Sequence, residues 1–268
     1  MRLFTVSSFL LGLWLCGATV FAPPAQAQDV GQLLEKRYGV ITSDTEEGRI
    51  ANQALERVVS RISAAMGAEV KSAKILGGKD KELDKEINAV ALPDGRIYVM
   101  IGLWNSIKED SDAEAKLAFV VGHELTHIVR KHSRHQAEGS LIGAIGGAIV
   151  AAILGGGSSA VRTWSQIGSG ALGGHYSRKD EYDADRGGLA AMNKAGYPME
   201  SAVNMMEKIR EKYGDKRVPI LAWFESHPPT KNRIARLKEI MEGIRSGKLD
   251  EEGFPPKTEK STKSKNRS

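Results

Sequence analysis

The chain has 268 residues, 41% hydrophobic and 26% charged, which is ordinary for a globular protein and enough to bury one core of good size. Its formal net charge of +5 raises the question of nucleic acid, but neither a recognised nucleic-acid module nor a basic stretch interleaved with aromatics accompanies that charge. A single cysteine, Cys16, excludes a disulfide within the chain.

The N-terminus reads as an export signal. Arg2 supplies a positive start, Leu3 to Ala22 is almost wholly apolar, and the run breaks at Pro23-Pro24 before Ala25-Gln26-Ala27. That small-x-small ending is what signal peptidase cuts, so residues 1–27 are expected to be removed and the mature chain to begin near Gln28. The alternative is an uncleaved membrane anchor. Leu15 is not the small residue that a lipidated Cys16 would need before it. Cleavage at Ala27 would leave a mature protein without thiols, held by its core and any metal even in an oxidising compartment such as the periplasm.

Asp44 to Met66 has the period of an amphipathic helix, with Ile50, Leu55, Val58, Val59 and Ile62 on one face. Between Ile87 and Ile101 two apolar runs flank Pro93-Asp94-Gly95-Arg96, which is turn chemistry and predicts a β-hairpin. A long helix follows from about Asp112 to about Gln136, with Ser111 and Glu114 spaced as a capping box. From Gly139 to Gly174 the chain is rich in Gly, Ala and Ile and nearly free of charge. Further helices are expected from Arg178 to Gly196, from about Met199 to Tyr213, and from Pro229 to Arg245, the last with proline in its first turn. From Gly247 onward the chain is Lys-rich and has little to bury, a solvated basic tail suited at most to weak attraction by an anionic membrane surface.

Chemistry is concentrated in Gly122-His123-Glu124-Leu125-Thr126-His127. Histidines four apart on a helix project from one face, so both imidazoles can reach a single ion. Glu124, beside them, is placed to take the proton of a water that zinc has acidified. The bland reading, two surface histidines beside Arg130, Lys131 and His132, has to contend with the apolar body that Val120, Val121, Leu125, Ile128 and Val129 give this helix. Catalytic zinc requires a third protein ligand. In one large class it is a histidine ten residues after the first, with a glycine between. Here those positions are Ser133 and Arg130, so a carboxylate elsewhere must serve. Asp180-Glu181-Tyr182-Asp183-Ala184-Asp185 offers several, and Glu181 and Asp185 share a helix face. One of these two can bind the metal while the other orients an imidazole. His132 and His135 read as solvent-facing, and nothing fixes His175 near a cleft.

Three motifs in order then carry a resemblance. His-Glu-x-x-His, Ser-Arg-x-x-Glu-x-x-Ala-Asp from Ser177 to Asp185, and Ser-His-Pro-Pro-Thr-x-x-Arg-Ile from Ser226 to Ile234 resemble metallopeptidase family forty-eight. This is the gluzincin group of HtpX-like proteases and CAAX prenyl endopeptidases. Asn88 to Leu103 resembles the family's strand before its active-site helix. The resemblance implies zinc bound by His123, His127 and Glu181, Glu124 as the catalytic residue, Asp185 supporting a ligand, and His227 near the site as a donor to the oxyanion. It also implies an α+β fold: a mainly helical zincin-like domain over residues 28–246, with a small sheet edging the cleft, followed by the tail at 247–268. Without multiple spanning helices, the chain resembles the exported branch, associated with turnover of unfolded or misfolded envelope proteins. A non-catalytic chaperone keeping the zinc fold is the rival from another class, and a metal-dependent hydrolase of lipids or small amides is a second.

The insertion at 139–174 invites a membrane reading, but its solid apolar part, Leu141 to Leu154, has only 14 residues. At ~1.5 Å per residue that is about 21 Å of helix, against ~30 Å of bilayer core. It is expected to pack over the cleft as a glycine-hinged lid; a buried core helix and a shallow membrane contact are the alternatives.

Overall fold

The computed structural model describes residues 30–92, 94–132, 177–213, 227 and 230–255. The leader, the 139–174 insertion with its lid, His135, His175 and the end of the tail lie outside them.

The described residues form seven α-helices around a three-stranded sheet, the α+β arrangement expected. In chain order they are α1 (Val30–Tyr38), α2 (Glu46–Met66), β1 (Ser72–Leu76), β2 (Ala89–Ala91), β3 (Arg96–Met100), α3 (Ile101–Ile107), α4 (Ala113–Val129), α5 (Arg178–Lys194), α6 (Glu200–Tyr213) and α7 (Lys231–Arg245). Among them α1, β1 and α3 were not foreseen from the sequence. None of these helices is long and apolar enough to cross a membrane.

Helix α2 starts at Thr45, whose side chain accepts from Gly48 N, and ends at Gly67 in the left-handed region at φ 60°. It buries Ala51, Ala54, Leu55, Val58 and Ile62, but Ile50 is 45% exposed, so the apolar stripe is narrower than the sequence suggested. The hairpin forms as expected. Its turn closes through Gly95 N to Leu92 O at 2.9 Å, with Gly95 at φ 88°, a conformation that favours glycine. Strands β2 and β3 are antiparallel, with Val90 opposite Tyr98, and β1 runs parallel to β3, giving the order β1-β3-β2. Ile101, expected in the second strand, instead opens α3.

Helix α4 is the centre of the molecule. Every residue from Ala115 to His127 is buried, as a helix enclosed on all sides requires. Its start differs from the expected capping box. Asp112 is the N-cap, but its side chain makes no capping bond to the helix, Ser111 is exposed, and Glu114 is drawn instead to Arg57 of α2. The buried Lys116 ties this end down through Asp110 at 2.6 Å and Asp112 at 2.8 Å. The capping box occurs at α5, where Ser177 and Asp180 each accept from the other's backbone N–H. Helix α7 begins after Thr230, whose side chain accepts from Arg233 N, so Pro229 precedes the cap rather than entering the first turn.

Helices α4 and α5 cross with almost nothing between them. A methyl group at Gly122 would stand 3.1 Å from Gly188 Cα, and one at Gly188 would stand 3.1 Å from His123 N. At Gly187 it would meet Thr126 Oγ1 at 2.3 Å and Thr126 Cβ at 3.0 Å. Thr126 cannot retreat freely, because its hydroxyl donates to Gly122 O at 2.7 Å. Alanine favours a helix over glycine by up to ~1 kcal/mol, whereas overpacking a tight contact costs ~1–3 kcal/mol. Gly187→Ala is therefore expected to lose about 1–2 kcal/mol in urea unfolding, with most of the loss absent when Thr126→Ala removes the obstructing atoms.

Candidate metal centre

His123 and His127 lie one turn apart on α4, Glu181 sits in the first turns of α5, and His227 approaches from the chain before α7. All four are buried, and one donor atom of each lies within 4.8 Å of all the others. His123 Nε2 is 3.1 Å from both His127 Nε2 and His227 Nδ1. Glu181 Oε1 is 2.8 Å from His227 Nδ1 and 3.5 Å from His127 Nε2, and Glu181 Oε2 is 3.7 Å from His123 Nε2.

The supporting contacts explain why these atoms point inward. His123 Nδ1 faces Asp185 Oδ1 at 3.2 Å, and a ring proton held on that side would leave Nε2 as a lone pair aimed at the cluster. Burial, then the neighbouring imidazoles, hold His127 far below its ordinary range, so it is neutral and also offers a lone pair. Two imidazole nitrogens and a carboxylate converging in a dry site are the donor set that zinc takes. His123, His127 and Glu181 thus suit a zinc ion, and His227 Nδ1 stands beside them as a fourth donor.

Glu124 is buried next to the ligands, with Oε1 3.4 Å from His227 Nε2. Burial would depress the His227 imidazole, but the Glu181 and Glu124 carboxylates outweigh it and lift His227 above its usual range. A contact of His227 with an oxyanion would have to use Nε2, the nitrogen on the Glu124 side, because Nδ1 lies in the ligand cluster.

The sequence reading gave Arg233 no role, yet this buried guanidinium joins the whole site. It donates through Nε to Asp185 Oδ2 at 2.7 Å and through Nη2 to Oδ1 at 2.5 Å, while Nη1 lies 2.8 Å from Glu181 Oε2. Burial alone would raise the Asp185 carboxyl; the Arg233 charge and its hydrogen bonds outweigh that and bring it to about 2. Burial likewise raises Glu181, but the charges of His227 and Arg233 hold it below the usual carboxylate range. A signal was present in the sequence. Arg233 falls four before Leu237 on the face that α7 buries through Leu237, Ile240 and Met241, where a lone arginine requires buried acids.

His132 was expected to face solvent and is buried, 4% exposed. Its Nδ1 is 3.0 Å from His127 Nδ1, and its Nε2 is 3.2 Å from Asp183 Oδ2. A helix continued to Gln136 would have turned His132 about 140° away from His127. Instead α4 stops at Val129 and Lys131 takes φ 56°, folding the chain back.

The Peptidase family M48 model matches residues 49–241. Metalloprotease YcaL of Escherichia coli is 28% identical over 221 residues, covering 77% of this chain and 83% of that protein. The mitochondrial metalloendopeptidase OMA1 of Arabidopsis thaliana is 33% identical over 177 residues, 63% of this chain and 34% of OMA1. A putative beta-barrel assembly-enhancing protease of Vibrio cholerae is 26% identical over 166 residues, 58% of this chain and 33% of that protein. The match therefore spans about a third of each of the latter two.

Removing one partner of a buried ion network leaves uncompensated charge, at a cost of ~3–5 kcal/mol. Arg233→Met should lose that much in denaturant unfolding of the metal-free protein. Adding Asp185→Asn should recover part of the loss, so the double variant falls well short of the sum of the singles.

Proposed function

We propose, since the chain belongs to peptidase family M48, that it works as an exported zinc endopeptidase cleaving unfolded or misfolded proteins of the cell envelope. The observation that supports this reading most is the buried convergence of His123, His127 and Glu181 with Glu124 beside them.

Zinc in this site would supply Lewis acidity to a water and to the peptide carbonyl. Glu124 then acts as general base, taking the proton of the attacking water and passing it to the leaving amine. His227 offers Nε2–H to the oxygen on which negative charge develops. Asp185 fixes the ring of His123, and Arg233 fixes the carboxylates of Asp185 and Glu181, so the donors keep their positions while the substrate changes.

Strand β2 supports the substrate class. It is an edge strand among the described residues and lies against α4. An extended chain adding to that edge would run beside the catalytic helix. Main-chain hydrogen bonds of this kind accept many sequences, which suits unfolded proteins as substrates. The apolar leader at residues 1–27 supports export to the periplasm, and the basic tail supports weak peripheral contact with a membrane.

Glu124→Gln is the informative substitution, because the amide keeps the side chain's shape and removes its basicity. The variant should retain zinc while cleavage of unfolded casein falls by at least ~10²–10⁴-fold. Wild-type cleavage should stop with a chelator and return with zinc. Cleavage by Glu124→Gln near the wild-type rate would remove Glu124 from the mechanism, and zinc-loaded wild-type protein that cleaves nothing would favour a binding role instead.

A further inference from the structure

The two ligand histidines are not supported alike. His123 meets its carboxylate, Asp185, directly. The Nδ1 of His127 faces another imidazole, His132 Nδ1, at 3.0 Å. The rings stand nearly perpendicular, at 78° with centroids 5.0 Å apart. Two imidazole nitrogens at this separation share one proton, so one donates and the other accepts. The far side of His132 decides which. His132 Nε2 lies 3.2 Å from Asp183 Oδ2, an acceptor only, and therefore carries a proton. In a neutral ring that leaves His132 Nδ1 as acceptor, so the proton between the rings belongs to His127 Nδ1. The Nε2 of His127 is then a bare lone pair, and Nε2 is the atom that faces His123 and Glu181.

We infer that His132 is a positioning residue of the metal centre, which together with Asp183 fixes the tautomer and orientation of His127. The inference rests on the zinc reading of the cluster.

Other features fit this role. Asp183 stands two residues from Asp185, about 200° around α5, so it cannot reach a ligand on α4 without an intermediary. It is held by Arg186, one turn along, and by Arg130 at 3.7 Å. The chain reaches the required position only by placing Lys131 at φ 56°, a region that residues other than glycine seldom adopt. Unfavourable backbone of this kind persists where the surrounding contacts over-determine it. Here those contacts are the two nitrogens of His132. Helix α5 therefore backs both ligand histidines from one segment, through Asp185 directly and through Asp183 by way of His132.

The test uses the full chain in its wild-type, His132→Ala, His132→Asn and Asp183→Ala forms. Zinc affinity is measured by competition with a chromogenic chelator, and the His127 tautomer by ¹⁵N chemical shifts in the metal-free protein. Asparagine can set its Oδ1 where His132 Nδ1 lies and so accept from His127, but it cannot extend to Asp183. His132→Ala should weaken zinc binding ~10–100-fold and give His127 a mixture of tautomers. His132→Asn should restore most of the affinity and the Nδ1–H tautomer, and Asp183→Ala should fall between wild type and His132→Ala. Unfolding midpoints, measured alongside, should be similar for the alanine and asparagine variants at position 132. Wild-type affinity and a single Nδ1–H tautomer in His132→Ala would overturn the inference. So would equal losses in Ala and Asn that track their stabilities. Wild-type protein that binds no zinc would refute the zinc reading, and the tautomer measurement would still decide the role of His132.

Discussion

The contact between α4 and α5 is the constraint from which the site follows. Gly122, Gly187 and Gly188 let the two backbones meet closely enough for donors on both helices to share one small volume. A side chain at any of these positions would push Glu181 and Asp185 away from His123 and His127. The close approach also creates a charge problem, since the carboxylates of Glu124, Glu181 and Asp185 and the imidazoles of His123, His127, His132 and His227 are all buried. Arg233, reaching in from α7, compensates Glu181 and Asp185 at once and so ties a third helix to the same centre. Helix packing, buried ion pairing and metal chemistry are therefore one arrangement here, and none of them can be altered without the others.

This coupling separates the parts that react from the parts that hold. Glu124 Oε1 and His227 Nε2 lie 3.4 Å apart beside the ligand cluster, and they are the groups to which the proposed mechanism gives the reacting roles. Asp185, Arg233, His132 and Asp183 stand behind the ligands. The sheet contributes from the side, its β2 edge lying along α4 so that a bound chain can be held by its backbone while its side chains vary.

Much of this was legible in the sequence, and the omissions have physical causes. The His123–His127 spacing and the Glu181–Asp185 spacing each follow from helix geometry alone, and both pairs stand as expected. The hairpin was legible because Pro93-Asp94-Gly95 is local turn chemistry. Strand β1 was not, because Ser72–Leu76 is short and is specified by parallel pairing with a strand twenty-four residues away in register. The end of α4 was misjudged for a similar reason. Nothing near Lys131 announces a stop; the helix ends there because His132 finds His127 and Asp183, a tertiary gain that local propensity does not contain. Arg233 was legible in principle, as a charge on a buried face.

The central claim is that His123, His127 and Glu181 together hold one zinc ion. Native mass spectrometry of the purified protein, beside its Glu181→Ala and Asp185→Ala variants, tests it most directly. The account predicts one zinc per wild-type chain, none in Glu181→Ala, and zinc retained with ~10–100-fold weaker affinity in Asp185→Ala. Zinc held undiminished by Glu181→Ala, or lost from Asp185→Ala alone, would contradict it.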